Sequence, residues 1–190
     1  MQSIQTVSEN TIYVGASDRR LAKFENLFPI PRGVSYNAYV ILDEKTALLD
    51  TADASVGAQF LENVAAALDG RKLDYLIVDH MEPDHAAMIE AVLVRWPDLR
   101  LVVNAKTLPM LKMYFPTDSA AIDDALVVKE GDTLDLGKHK LTFVMAPMVH
   151  WPEVMMTFDT TTGTLFSADA FGTFGALEGA LFADEVDFAG

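Results

Sequence analysis

Leu73-Asp74-Tyr75-Leu76-Ile77-Val78 runs directly into Asp79-His80-Met81-Glu82-Pro83-Asp84-His85, and the stretch Ala86–Trp96 that follows is largely apolar. The succession reads as a buried strand, a loop dense in ligand side chains, and a helix. Two imidazoles and three carboxylates fall within seven residues of loop. Zinc and iron accept His nitrogen and Asp or Glu oxygen together, so a loop of this kind at a strand end suits a metal site. Acids also gather at helix N-termini for electrostatic reasons. That plainer reading covers Glu82 and Asp84 but not both histidines.

Composition narrows the chemistry further. A chain of 190 residues buries a sizeable core as one domain, and 51% apolar with 22% charged residues is the balance of a globular protein rather than a disordered one. The net charge of −14 argues against nucleic acid or an anionic membrane as partner. There is no cysteine, which excludes disulfides, thiolate zinc sites, cysteine-ligated iron–sulfur clusters and thiol nucleophiles within the chain. A transition metal here has to be held by His, Asp and Glu, which suits iron, manganese or zinc. Met1–Gly15 lacks the pattern of a secretory signal and no apolar run reaches the length of a membrane span, so a cytoplasmic location is expected.

Upstream of the loop, Thr11–Val14 reads as a short strand and Gly15–Gly33 as a long irregular connection. Val34–Leu42 and Thr46–Leu49 form an expected hairpin about Asp43-Glu44-Lys45. Asp50 and Asp53 follow as turn acids or helix caps. Val56–Leu68 has helical spacing with Phe60, Leu61, Val64 and Leu68 on one face and Gly70 as its stop. Downstream, Leu101–Asn104 is a strand and Thr107 a candidate cap for a helix to Tyr114, with Met110 and Met113 as core filler. Five short strands follow: Ala125–Lys129, Thr133–Leu136, Lys140–Met145, Glu153–Asp159 and Thr164–Ser167. The first half alternates strand and helix while the second is mostly strand, which fits one layered α/β domain. Ala170–Gly190 shows no clean element.

Only two other histidines exist. His139, in Gly137-Lys138-His139-Lys140, reads as a solvated turn residue. His150 follows a strand and Pro147, as His80 follows its strand, and Trp151 and Pro152 stand ready to shield it from water. Asp169 lies among small residues after Thr164–Ser167. It is a cap, a turn acid, or a carboxylate that bridges two metals if it faces the side of His80 and His150.

His80-x-Glu82-x-Asp84-His85, then His150, then Asp169 resembles the metal motif of the metallo-β-lactamase-like domain in flavodiiron proteins. Pro31-Arg32-Gly33-Val34-Ser35-Tyr36-Asn37, His150-Trp151-Pro152 and Ser167-Ala168-Asp169-Ala170-Phe171-Gly172 are also similar to that family. The resemblance implies a metallo-β-lactamase-like αββα sandwich over residues 1–190 and a di-iron centre. By position, His80, Glu82 and His150 hold one iron, Asp84 the other, and Asp169 bridges them. His85 matches the motif, although family members differ in whether this His touches iron. It further implies O₂ reduction to water or NO reduction to N₂O, FMN in a flavodoxin-like domain or rubredoxin as electron donor, and a head-to-tail homodimer. Zinc hydrolases of the superfamily usually carry His where Glu82 stands, and a carboxylate there favours the higher iron charge.

Two departures stand beside the resemblance. The family's last ligand is a His well after the bridging Asp, and no His follows His150; the flavodoxin-like domain is also absent. On this reading the αββα fold is incomplete at its C-terminus and the second iron lacks one protein ligand. A zinc hydrolase on the same scaffold and a non-catalytic truncated fragment are the alternatives.

Overall fold

The computed structural model describes residues 3–116 and 119–185. The chain opens with strands β1 (Gln5–Ser8) and β2 (Thr11–Tyr13). Short strands β3 (Ala16–Asp18), β4 (Lys23–Phe24), β5 (Phe28–Pro29) and β6 (Val34–Tyr36) come next, then the hairpin β7 (Tyr39–Leu42) and β8 (Thr46–Leu49). Helix α1 (Gly57–Leu68), β9 (Tyr75–Ile77), α2 (Pro83–Ala86), α3 (Ile89–Arg95), β10 (Arg100–Asn104), α4 (Thr107–Tyr114), α5 (Ser119–Asp123) and β11 (Leu126–Val128) follow. The last strands are β12 (Thr133–Asp135), β13 (Lys140–Met145), β14 (Met155–Asp159) and β15 (Thr164–Phe166).

These elements fall into two compact units. The larger, the residues up to Ala16 with Tyr36–Phe171, is a sandwich of two sheets. One has seven strands in the order β1-β2-β7-β8-β9-β10-β11, and the other has four in the order β12-β13-β14-β15. The first is antiparallel up to β8 and parallel from β8 through β9 and β10 to β11; the second is antiparallel throughout. Ile41, Leu49, Ile77 and Val102 of the first sheet share one buried cluster with Leu141, Phe143, Met155 and Phe166 of the second. Each such side chain contributes about 1.5–3 kcal/mol through burial. Helix α1 packs on β7, and α4 and α5 on β10. The smaller unit, Ser17–Ser35 with the residues from Gly172, pairs β4 with β5 and sets the Phe174 ring 5.1 Å from that of Phe24.

Most expected elements are present within a residue or two. Asp53 caps the 3₁₀ turn Ala54–Val56 ahead of α1, and Asp69 and Gly70, both at positive φ, end the helix. The expected strand Val34–Leu42 is broken, because the chain leaves β3 at Tyr36 and joins β2 and β8 from Tyr39. The expected helix Ala86–Trp96 is two pieces, and the first begins earlier, with Pro83 in its opening turn. Lys106, not Thr107, stands at the cap position of α4 without a side-chain cap bond, and Asn104 Oδ1 accepts from the Lys106 and Thr107 amides. Met113 is 66% exposed and is no core filler. Ala170–Gly190 holds one 3₁₀ turn, Ala183–Glu185, among its described residues; positions 186–190 lie outside them. No helix among the described residues is long and apolar enough to cross a membrane.

Candidate metal centre

The parallel strands β8, β9 and β10 end at one edge of the sandwich. Asp50 follows β8, Asp79 and His80 follow β9, and Asn104 closes β10. At the same edge β13 gives way to the loop that carries His150 and returns as β14, while β15 runs out toward Asp169. The Met155 amide donates to the Asp79 carbonyl at 3.0 Å and ties the two sheets together there. Strand-end convergence of this kind is where α/β sheets place their sites. Four of the eight non-glycine residues at positive φ among the described residues (Asp50, Met148, Ala168 and Phe171) lie in these loops. Such strain concentrates at functional sites.

The converging side chains form two groups that share one residue. His80, Glu82, His150 and Asp169 can each offer one ligand atom within 4.8 Å of the others, and so can Asp84, His85 and Asp169. Glu82 Oε2 is 3.1 Å from His80 Nε2 and 2.7 Å from His150 Nε2. Asp169 turns Oδ2 toward His80 Nε2 and His150 Nε2, each at 3.3 Å, and Oδ1 toward His85 Nε2 at 2.8 Å. All six residues singled out in the sequence therefore meet in one place. His150 is less shielded than its neighbours suggest, with 56% of its side chain exposed. Trp151 stands edge-on to His80 instead, ring centres 5.3 Å apart.

The metal-free electrostatics are those of a cation site. Burial alone would lower His80, yet Asp169, Glu153 and Glu82 outweigh it and raise the imidazole to about 11. Burial likewise works against a charged His85, but Asp169 and Asp50 overcome it and raise the imidazole well above its ordinary value. Burial works against Asp169 ionising, but His80 and His85 hold it well below the usual carboxylate range. The hydrogen bond from His80 lowers Glu82, and burial pushes Asp84 up to about 6. Protons on the imidazoles thus stand where a metal ion would balance the carboxylates. Asp84 Oδ1 is buried without a hydrogen-bond partner, as an oxygen reserved for a cation would be. The mixed imidazole–carboxylate donor set suits iron, manganese or zinc.

Three contributors went unrecognised in the sequence. Glu153 Oε1 lies 2.8 Å from His80 Nδ1, Asp50 Oδ2 lies 3.0 Å from His85 Nδ1, and the Asn104 amide donates to the Glu153 carbonyl at 2.6 Å. Asp50 was legible only as a turn acid or cap, and nothing in local spacing marks Glu153. His139, expected as a solvated turn residue, is fully buried, and its Nδ1 meets Asp159 Oδ2 at 2.8 Å. It belongs to neither donor group.

Comparison with known proteins identifies the family and the fold. Residues 34–188 match the family model described as ODP family beta lactamase. The chain is 38% identical over 183 residues to the anaerobic nitric oxide reductase flavorubredoxin of Klebsiella pneumoniae, covering 95% of this chain and 37% of that protein. It superposes with a TM-score of 0.90 on the flavodiiron protein from Giardia intestinalis, at 28% identity, covering 98% of this chain and 44% of that one. The rubredoxin oxygen:oxidoreductase from Desulfovibrio gigas gives a TM-score of 0.90 at 31% identity, covering 97% and 45%. The chain spans less than half the length of each of these proteins. It belongs to the ODP family of β-lactamase-like proteins and has the metallo-β-lactamase-like fold of the flavodiiron proteins.

Proposed function

We propose that residues 1–190 form the metal-binding domain of a flavodiiron oxidoreductase that reduces O₂ to water, NO to N₂O, or both. His80, Glu82 and His150 would hold one iron and Asp84 and His85 a second, with Asp169 offering an oxygen to each group. The observation that carries this reading is the pair of Asp169 oxygens turned toward two separate donor groups. Glu82, a carboxylate in the first group, favours iron over zinc.

Bound there, an iron pair would supply electrons to a small oxidant. Two NO, two electrons and two protons give N₂O and one water, whereas O₂ takes four of each and gives two waters. The chain's own residues hold the donors at fixed spacing, and the exposed flank of His150 leaves an approach open from solvent. Electrons come from FMN in a flavodoxin-like domain or from rubredoxin, in a homodimeric cytoplasmic enzyme. The relatives named as a nitric oxide reductase and a rubredoxin oxygen:oxidoreductase support this assignment.

The test is metal content after purification without oxygen and supply of iron. About two irons per chain is the expected result, with turnover of NO or O₂ by a reduced flavin donor measured next. Zinc taken up in preference to iron would move the reading to a hydrolase on the same scaffold.

A further inference from the structure

Glu153 lies three residues beyond His150, and its side chain is fully buried. A buried carboxylate is costly unless its partners compensate, and an apolar residue would pack there at less expense. Its partners are specific. Oε1 accepts from the Met81 amide at 3.0 Å and faces His80 Nδ1 at 2.8 Å, while Oε2 is buried without a hydrogen-bond partner. The backbone on either side is pinned as well. Asn104 Nδ2 donates to the Glu153 carbonyl, and Lys106 Nζ donates to the Pro152 carbonyl at 3.1 Å.

The arrangement at His85 is built the same way. Asp50 accepts from the Asp79 amide through Oδ1 at 2.7 Å and meets His85 Nδ1 through Oδ2. In each case a buried carboxylate takes one strand-end amide and one imidazole Nδ1, which leaves Nε2 aimed at the donor cluster. His150 has no such partner at Nδ1 among the described residues, and it is the exposed one of the three.

We propose that Glu153 is a positioning residue for the metal centre, fixing His80 through Nδ1 and joining the His80–His85 loop to the His150 loop. With Nδ1–H donated to Glu153, the Nε2 lone pair of His80 is free for the metal, and the ring cannot turn away. Partners of this kind typically govern metal affinity by about 10–100-fold. The proposal rests on the metal-centre reading above.

The test compares wild type with Glu153→Leu and Glu153→Gln in the full chain. It measures iron(II) affinity by chelator competition, the melting temperature of the metal-free protein, and the His80 ring nitrogens by ¹⁵N NMR of the zinc-loaded form. Glu153→Leu is expected to weaken iron binding about 100-fold and to lose the Nδ1–H signal of His80. Glu153→Gln keeps an acceptor oxygen, and is expected to recover affinity to within about tenfold of wild type with that signal present. Wild-type affinity in Glu153→Leu would overturn the proposal. So would losses in both variants that follow the metal-free melting temperature alone, with the His80 signal unchanged. A wild-type chain that takes up no iron would instead overturn the metal reading, and this proposal with it.

Discussion

At one end of the sandwich His80 and His85 stand among Asp50, Glu82, Asp84, Glu153 and Asp169; at the other, His139 stands against Asp159. The second pair lies where β13 begins and β14 ends, the opposite edge from the loop that carries His150. Both oxygens of Asp159 are partnered. It accepts from the Thr161 amide at 2.9 Å and the Thr162 hydroxyl at 2.7 Å besides facing His139 Nδ1. The His139 amide in turn donates to Asp43 at 2.6 Å, which clips the β7–β8 turn to the second sheet. Both ends bury imidazole against carboxylate, so residue type does not separate them. The ratio does. One carboxylate with both oxygens partnered fastens a single imidazole, whose Nε2 is left without a partner, whereas several carboxylates with buried oxygens left over are what a cation would need.

The largest expected effect breaks that distinction at its centre. Asp169→Ala removes the one residue common to both donor groups, and metal analysis should show both ions lost, from about two per chain to nearly none. His150→Ala, confined to one group, should leave the other ion measurable. Retention of both ions in Asp169→Ala would mean that the carboxylate is not shared.

The next effect is the cost of replacing protons by metal. His80 is held at about 11 in the metal-free chain, above its ordinary value, so at neutral pH it has to lose a proton to bind. Iron affinity should therefore rise with pH by about tenfold per unit for each proton released. Calorimetry in buffers of different ionisation enthalpy counts those protons, and a count of zero would contradict the charge balance described for this end.

The smallest effect belongs to the other end. Asp159→Asn is expected to cost about 1–3 kcal/mol in denaturant unfolding while leaving metal content unchanged. Burial opposes ionisation of Asp159, but Thr162, His139 and the Thr161 amide lower its value below that of an ordinary Asp. Its contribution is thus complete above about pH 4 and is lost as pH falls through the folded value, so the gap between wild type and Asp159→Asn should close there. A gap that stays constant with pH would leave only shape at Asp159.

The difference between the two ends also explains what could be read from sequence. The candidate loop was legible because His80, Glu82, Asp84 and His85 fall within six residues at the end of one apolar strand. The pairs that orient them were not, since Glu153 is 73 residues from His80 and Asp50 is 35 from His85, and only the folded sheets bring them together. His139 was misread from its lysine neighbours, although a signal was present. Lys138 and Lys140 alternate outward about it, and Leu141 beyond is buried, which is the period of a strand with His139 facing in. The break after Tyr36 had no local mark, because it reflects a change of pairing partner rather than of residue type. The split of α2 from α3 is a tertiary effect too. Thr51 binds the His85 carbonyl through both its amide, at 2.8 Å, and its hydroxyl, at 2.6 Å, and so occupies an acceptor that a continuous helix would use.

The backbone bond from Met155 to Asp79 has a mechanical consequence. His80, Glu82, Asp84 and His85 hang from the seven-stranded sheet, while His150 and Asp169 hang from the four-stranded one, and that bond marks the seam between them. An ion held by both sets is a rivet across the seam. Its binding energy resists the sheets sliding apart, so the resistance of the sandwich to opening at this edge is set by the free metal concentration around it.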